Sequence, residues 1–151
     1  MKKILTIALS VLAFAAVASA QPRAIGVRVG GSAEASYQHS LGNNFLEADL
    51  GLNILNGNGF YLTGVYDFVF ASTSGFNFYA GPGAQLGLYN KKNNEGNNEG
   101  HFSLAIAGQL GAEYEFNAIP FNISLDWRPC WDFLGNGFGW SSFALGFRYR
   151  F

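Results

Sequence analysis

FALGFRYRF, residues 143–151, carries an apolar or aromatic side chain at every second position. Phe143, Leu145, Phe147, Tyr149 and Phe151 form one set, and Ala144, Gly146, Arg148 and Arg150 the other. A period of two puts successive side chains on opposite faces of a strand. One face of this strand is therefore greasy, and the other is small or charged.

The same alternation recurs upstream and predicts seven more strands. Strand one covers about Ala24 to Gly30, and strand two about Ala33 to Ser40. Strand three runs from Phe45 to Ile54, with Leu46, Ala48, Leu50 and Leu52 opposite Glu47, Asp49 and Asn53. Strand four covers Phe60 to Phe70, and strand five Phe76 to Tyr89. Pro82 cannot donate to a ladder and predicts a bulge or a break in pairing there. Strand six covers Phe102 to Phe116, and strand seven Phe121 to Trp131. Between the strands lie turn-forming segments: Leu41 to Asn44, Asn56-Gly57-Asn58-Gly59, Ser72 to Gly75, and Asn117 to Pro120. A polar loop is expected from Lys91 to Gly100, where Asn-Asn-Glu-Gly occurs twice in tandem, and another from Asp132 to Gly139.

The other end of the chain predicts export. Lys2 and Lys3 precede an apolar run from Ile4 to Val17, followed by Ala18-Ser19-Ala20. This is the layout of a signal peptide cleaved after Ala20. The run is too short to span a bilayer as a helix, which needs roughly 20 residues. Two regions are thus expected, a signal peptide at 1–20 and a single β domain at 21–151. Without Lys2 and Lys3, seven basic residues face ten acidic ones. No basic cluster suits a nucleic acid, so none is expected as a partner. Cys130 is the only cysteine and cannot form an internal disulfide.

An even number of long alternating strands fits a closed sheet, with two options for its faces. The apolar faces hold more Phe, Leu and Ile than a small interior could take, whereas an eight-stranded interior is just wide enough for side chains to fill. Lysine is absent from the predicted strands, and charge facing mid-bilayer lipid costs several kcal/mol. The expected fold is therefore all-β: an eight-stranded antiparallel up-and-down transmembrane β-barrel with its polar face inside. Arg28, Glu47, Asp49, Asp67, Glu113, Glu115, Asp126, Arg128, Arg148 and Arg150 are the expected interior polar network, together with Glu34. Buried charges need partners, and Asp126 with Arg148 is the expected pair, because strands seven and eight are neighbours. Trp127, Trp131, Trp140, Tyr114 and Tyr149 suit interfacial aromatic girdles.

The signal peptide, the eight alternating strands and the terminal Phe-Arg-Tyr-Arg-Phe of residues 147–151 resemble the small bacterial outer-membrane β-barrel (porin-like) family. The resemblance implies residence in the cell outer membrane, with both termini periplasmic. It implies contact with membrane lipid and lipopolysaccharide, and recognition of the C-terminal strand by the outer-membrane assembly machinery. It also implies roles such as envelope integrity, adhesion or host contact. A monomer with a structural or surface-interaction role is expected; the alternatives are a narrow channel for small solutes and a lipid-modifying enzyme. Some such barrels use His, Ser and Glu, and His101, Ser103 and Glu113 occur here. Ten residues of strand separate Ser103 from Glu113, about 30 Å at strand rise, whereas a hydrolytic triad needs contacts near 3 Å. No enzymatic activity, no cofactor and no metal are expected. The doubled Asn-Asn-Glu-Gly lacks the acid count of a strong calcium site.

Overall fold

A computed structural model describes residues 22–52, 59–92, 94–134, 137–139 and 143–151. The expected signal peptide and its cleavage motif lie outside the described residues, as do Asn53 and Ile54 of strand three, Asn56 to Asn58, Asn93 and Trp140. The described residues form ten strands: β1 (Pro22–Gly30), β2 (Ala33–Leu41), β3 (Asn44–Leu52), β4 (Gly59–Thr73), β5 (Phe76–Lys92), β6 (Asn98–Glu115), β7 (Phe121–Trp127), β8 (Cys130–Asp132), β9 (Gly137–Gly139) and β10 (Phe143–Arg150). All pairings are antiparallel. Each of β1 to β6 pairs with the next, β7 pairs with β10, and β10 pairs with β1. Those eight strands close a ring. Short β8 and β9 pair with each other, and β8 also pairs with β6.

The register fixes the geometry of the ring. A row of partners runs from Asn122 through Arg148, Gly26, Ser36, Asp49, Thr63, Gln85 and Ala105 to Asp132. One circuit thus returns ten residues further along the β7–β8 segment. With eight strands about 4.8 Å apart and a rise of about 3.3 Å per residue, that displacement sets a tilt of about 40°.

Side-chain direction alternates around the whole ring. Most inward positions are polar or small, with Phe45 and Val65 among the exceptions: Arg28, Glu34, Ser36, Gln38, Glu47, Asp49, Thr63, Asp67, Gln109, Glu113, Asn122, Ser124, Asp126 and Arg148 are buried. Outward positions are apolar, among them Val27, Leu50, Leu62, Leu86, Ile106, Leu125 and Phe147, each about half exposed.

Several boundaries differ from the expectation. The segment Phe121 to Trp131 is not one strand: Arg128 and Pro129 interrupt it, because proline has no N–H for the ladder. Register with β6 is nonetheless kept, from Leu110↔Trp127 to Ala107↔Cys130. The backbone N–H of Gly108 bonds the Pro129 carbonyl across the gap at 3.0 Å. At Pro82 the expected disturbance is confined to one side. Tyr66 and Asp67 have no ladder partners in β5, whereas Pro82 pairs with Gly108 of β6 in unbroken register. Gly81 belongs there because a Cβ would collide with the Tyr66 carbonyl. The true bulge lies between Val69 and Ala71.

The polar segment Lys91 to Gly100 is shorter as a loop than expected. β5 continues to Lys92 and β6 starts at Asn98, with Lys91 opposite Glu99. Lysine is therefore present in a strand, at a level beyond the ring. At the opposite end the turns are tight. Gly42 (φ 69°) opens the β2–β3 turn, and Ser74 and Gly75 (φ 50° and 88°) make the β4–β5 turn. Positive φ at both central residues matches the twist of a two-residue hairpin. Pro22 and Phe151 lie at this turn end; the longer connections lie at the other, loop end.

Candidate functional site: the polar interior

The alternation aims charged side chains from seven of the eight walls at one another, and they segregate into two clusters. The middle cluster is built on three arginines. Arg128, just past β7, reaches across to β3: its Nη2 lies 2.8 Å from Glu47 Oε1 and 2.5 Å from Asp49 Oδ2. Its Nη1 lies 3.5 Å from Glu34 of β2, and its Nε donates to Gln109 at 2.6 Å. Arg148 of β10 donates to Glu47 at 3.1 Å and to the hydroxyls of Ser36 and Ser124, both at 2.8 Å. Arg28 of β1 holds Glu34 at 2.8 Å and Asp126 at 3.3 Å. Glu47 is the hub, bonded by Arg128, Arg148, Gln38 and Gln109. The side chains of the ion pairs are at most 6% exposed. Tyrosines extend the cluster: Tyr61 donates to Glu34 at 2.5 Å, and Tyr79 donates to Asp126.

The turn-end cluster is wetter. Arg23 pairs with Glu113 and with Glu115, the latter at 3.1 Å. Arg150 pairs with Glu115 at 2.8 Å and donates to the Phe116 carbonyl. Asn77 donates to both glutamates at 3.1 Å. Between the clusters Phe45 and Tyr79, both fully buried, meet edge to face with centroids 5.0 Å apart. The Arg23 guanidinium caps the Phe45 ring at 4.2 Å, a cation–π contact.

The ten residues expected in the interior all project into it, but in two groups. Arg28, Glu47, Asp49, Asp126, Arg128 and Arg148 meet in the middle; Glu113, Glu115 and Arg150 meet at the turn end. Asp67 has no arginine within salt-bridge reach and joins the middle cluster through Gln109, 3.0 Å away. Asp126 and Arg148 stand 4.0 Å apart, and each has a closer ionic partner: Arg28 for Asp126, Glu47 for Arg148. Sequence reasoning missed Arg23. Its odd number places it with outward Ile25, but a register shift between Pro22 and Ala24 turns it inward. Gln109 lies on the polar face of strand six with Glu113, as the alternation predicts; Gln38, Tyr61 and Tyr79 are uncharged and were not expected there, although Gln38 shares the parity of Glu34 and Tyr61 that of Asp67.

Among the described residues, five arginines face seven carboxylates in the interior. Buried polar atoms without a partner include Arg28 Nη2, Asp49 Oδ1 and Asp67 Oδ1. No group of three or more His, Cys, Asp or Glu among the described residues is arranged to hold a metal ion. Ser103 bonds Asp132 at 2.7 Å near the loop end, while Glu113 lies at the turn end with Arg23. Cys130 is half-buried as a free thiol. What the middle cluster does chemically is brace: each arginine ties its own wall to walls one to several strands away. No family model, curated protein or solved structure matches this chain.

Proposed function

We propose that the chain is an integral outer-membrane β-barrel whose interior is a side-chain-filled brace and whose role is structural or surface-interacting. The observation that carries this is the inversion of its faces. A ring for water would bury its Leu, Ile and Phe and expose its Arg and Glu; here Leu125, Leu145 and Val27 are more than half exposed, and Arg148, Glu47 and Asp126 are wholly buried. Exposed apolar area on this scale needs a cover, and hydrocarbon is the cover that a closed antiparallel sheet, with no open edge in its ring, can accept.

The dimensions support the reading. On β4, outward Phe60 and Phe70 are ten residues apart, about 33 Å along the strand and about 25 Å along the axis after a 40° tilt. That equals the roughly 25 Å apolar band of such proteins. Aromatics gather at the turn end of the belt: Tyr114 packs on Phe76 and Phe116, and Tyr149 on Phe121 and Phe151. Trp131 stacks on Phe133 near the loop end. Trp127, opposite Leu110 and Phe143, sits lower.

Membrane fractionation followed by gel mobility with and without boiling tests the proposal. A membrane-bound product that changes mobility on heating is expected; a water-soluble product with no shift refutes it. The brace itself is tested in planar bilayers, where no stable openings are expected and a steady single-channel current would establish the channel alternative.

A further inference from the structure

The tilt that closes the ring also sets how high each wall stands. At 40°, one residue along a strand climbs about 2.5 Å of axis and one step to the next strand along a row of partners about 3 Å. At the turn end, Asn44, Phe76, Glu115, Phe121 and Arg150 lie level to within about 5 Å on this scale. The loop end is not level. β1 and β2 stop at Gly30 and Ala33, joined by Gly31 and Ser32. The row from Ala33 climbs through Leu52, Phe60 and Leu88 to Phe102, four steps and about 12 Å higher. On the other flank, β9 continues the line of β10 about 10 Å above Gly30. Among the described residues no strand pairs with β9 on its β1 side.

Among the described residues the rim therefore has a notch at the β1–β2 turn. The outward side chains of β2 from Leu41 to Ala33, apolar or aromatic except for His39, span about 20 Å of axis, against about 30 Å from Tyr114 to Phe102 on β6. Rigid tilting of the molecule cannot equalise two unequal sides. Nor can hydrocarbon close over the notch. The Gly30-Gly31-Ser32 turn is closed by the Gly30 N–H bond to the Ser32 carbonyl at 3.0 Å, and lipid tails offer its remaining main-chain polar groups no partners. Ser32 is itself bonded inward, to Tyr61 and to Glu34.

Building on the membrane reading, we infer that lipid headgroups of the loop-side leaflet descend into this notch, so that the bilayer is locally thin against the β1–β2 hairpin. The partner is the polar headgroup layer itself. A short apolar wall is met by bilayer thinning at a cost of fractions of a kcal/mol per Å.

The test uses full-length protein in a Cys130→Ser background, carrying one environment-sensitive fluorophore at Gly31→Cys, Asn90→Cys or Leu125→Cys. A Cβ at Gly31 meets nothing within 4 Å, so the label is tolerated there. Each protein is placed in dilauroyl or dioleoyl phosphatidylcholine vesicles doped with lipids brominated near the headgroup or mid-chain. The Gly31 label should be quenched by the shallow bromines at least about two-fold more in the thicker bilayer, and little by the deep ones. The Asn90 label should stay unquenched in both. A Gly31 label unquenched at either thickness would mean that the hairpin clears the membrane, and strong mid-chain quenching would mean that hydrocarbon closes over it. Cross-linking between Gly31→Cys copies, with loss of quenching, would show that a second chain fills the notch. Each of these outcomes overturns the inference. The membrane reading fails separately, through a Leu125 label that no lipid quenches.

Discussion

The middle and turn-end clusters use the same chemistry, arginine against carboxylate, in different surroundings. Arg148 and Glu47 are wholly buried, whereas Arg150 and Glu115 are each 26% exposed. Water can replace a partner lost at the turn end. In the middle nothing can, and an arginine deprived of its carboxylate becomes an uncompensated buried charge. The stakes of an ion pair here are set by depth, not by bond length, since both clusters contain pairs at 2.8 Å.

The sharpest way to break this contrast is at Glu47. Glu47→Ala removes the carboxylate that Arg128 and Arg148 share and leaves Arg148 with Asp126 only at 4.0 Å, while Arg128 keeps Asp49; it should cost about 3–5 kcal/mol, read as a lowered urea midpoint for vesicle-inserted protein. A cost below that of a surface pair would mean that water already fills the interior. Next in size is the opposite face. Leu125→Arg, in the middle of the apolar belt, should cost about 2–4 kcal/mol in vesicles, and a neutral result would remove lipid from that face. Glu115→Ala should cost about 1 kcal/mol or less, as exposed pairs do. Smallest of all is the salt effect. Raising ionic strength tenfold, from about 0.05 M, should erase the Glu115 penalty and leave that of Glu47 almost unchanged, because screening acts on solvent-exposed charges.

The faces of this fold were legible from alternation because one wrong step in register would have moved a whole strand's side chains to the other side. The boundaries were less so. Pro129 ends β7 through a missing donor, and the hairpin beyond Tyr89 is held by cross-strand pairs that a polar composition conceals. The pairing inside was the least legible. Neighbouring strands suggested Asp126 with Arg148, yet their direct partners are Ala144 and Asn122. Arg148 spans the interior to Glu47, three strands away. Which residues meet across the ring depends on the ten-residue displacement of the whole circuit, a property that no single strand carries. Arg23 was hidden by a one-residue bulge, which reverses parity without any mark in composition.

The pairing of Ala24 with Arg150 has a consequence for time as well as shape. Within the ring, every other neighbouring pair joins strands that are consecutive among its eight; this seam alone joins the first of them to the last. Until it forms, β1 and β10 are open edges, each with a row of free main-chain groups and an apolar flank, ready to pair with any other chain. The hazardous interval in this protein's life thus lasts from the emergence of β1 to the arrival of β10. Its yield in a cell is decided by whatever shields those two edges meanwhile.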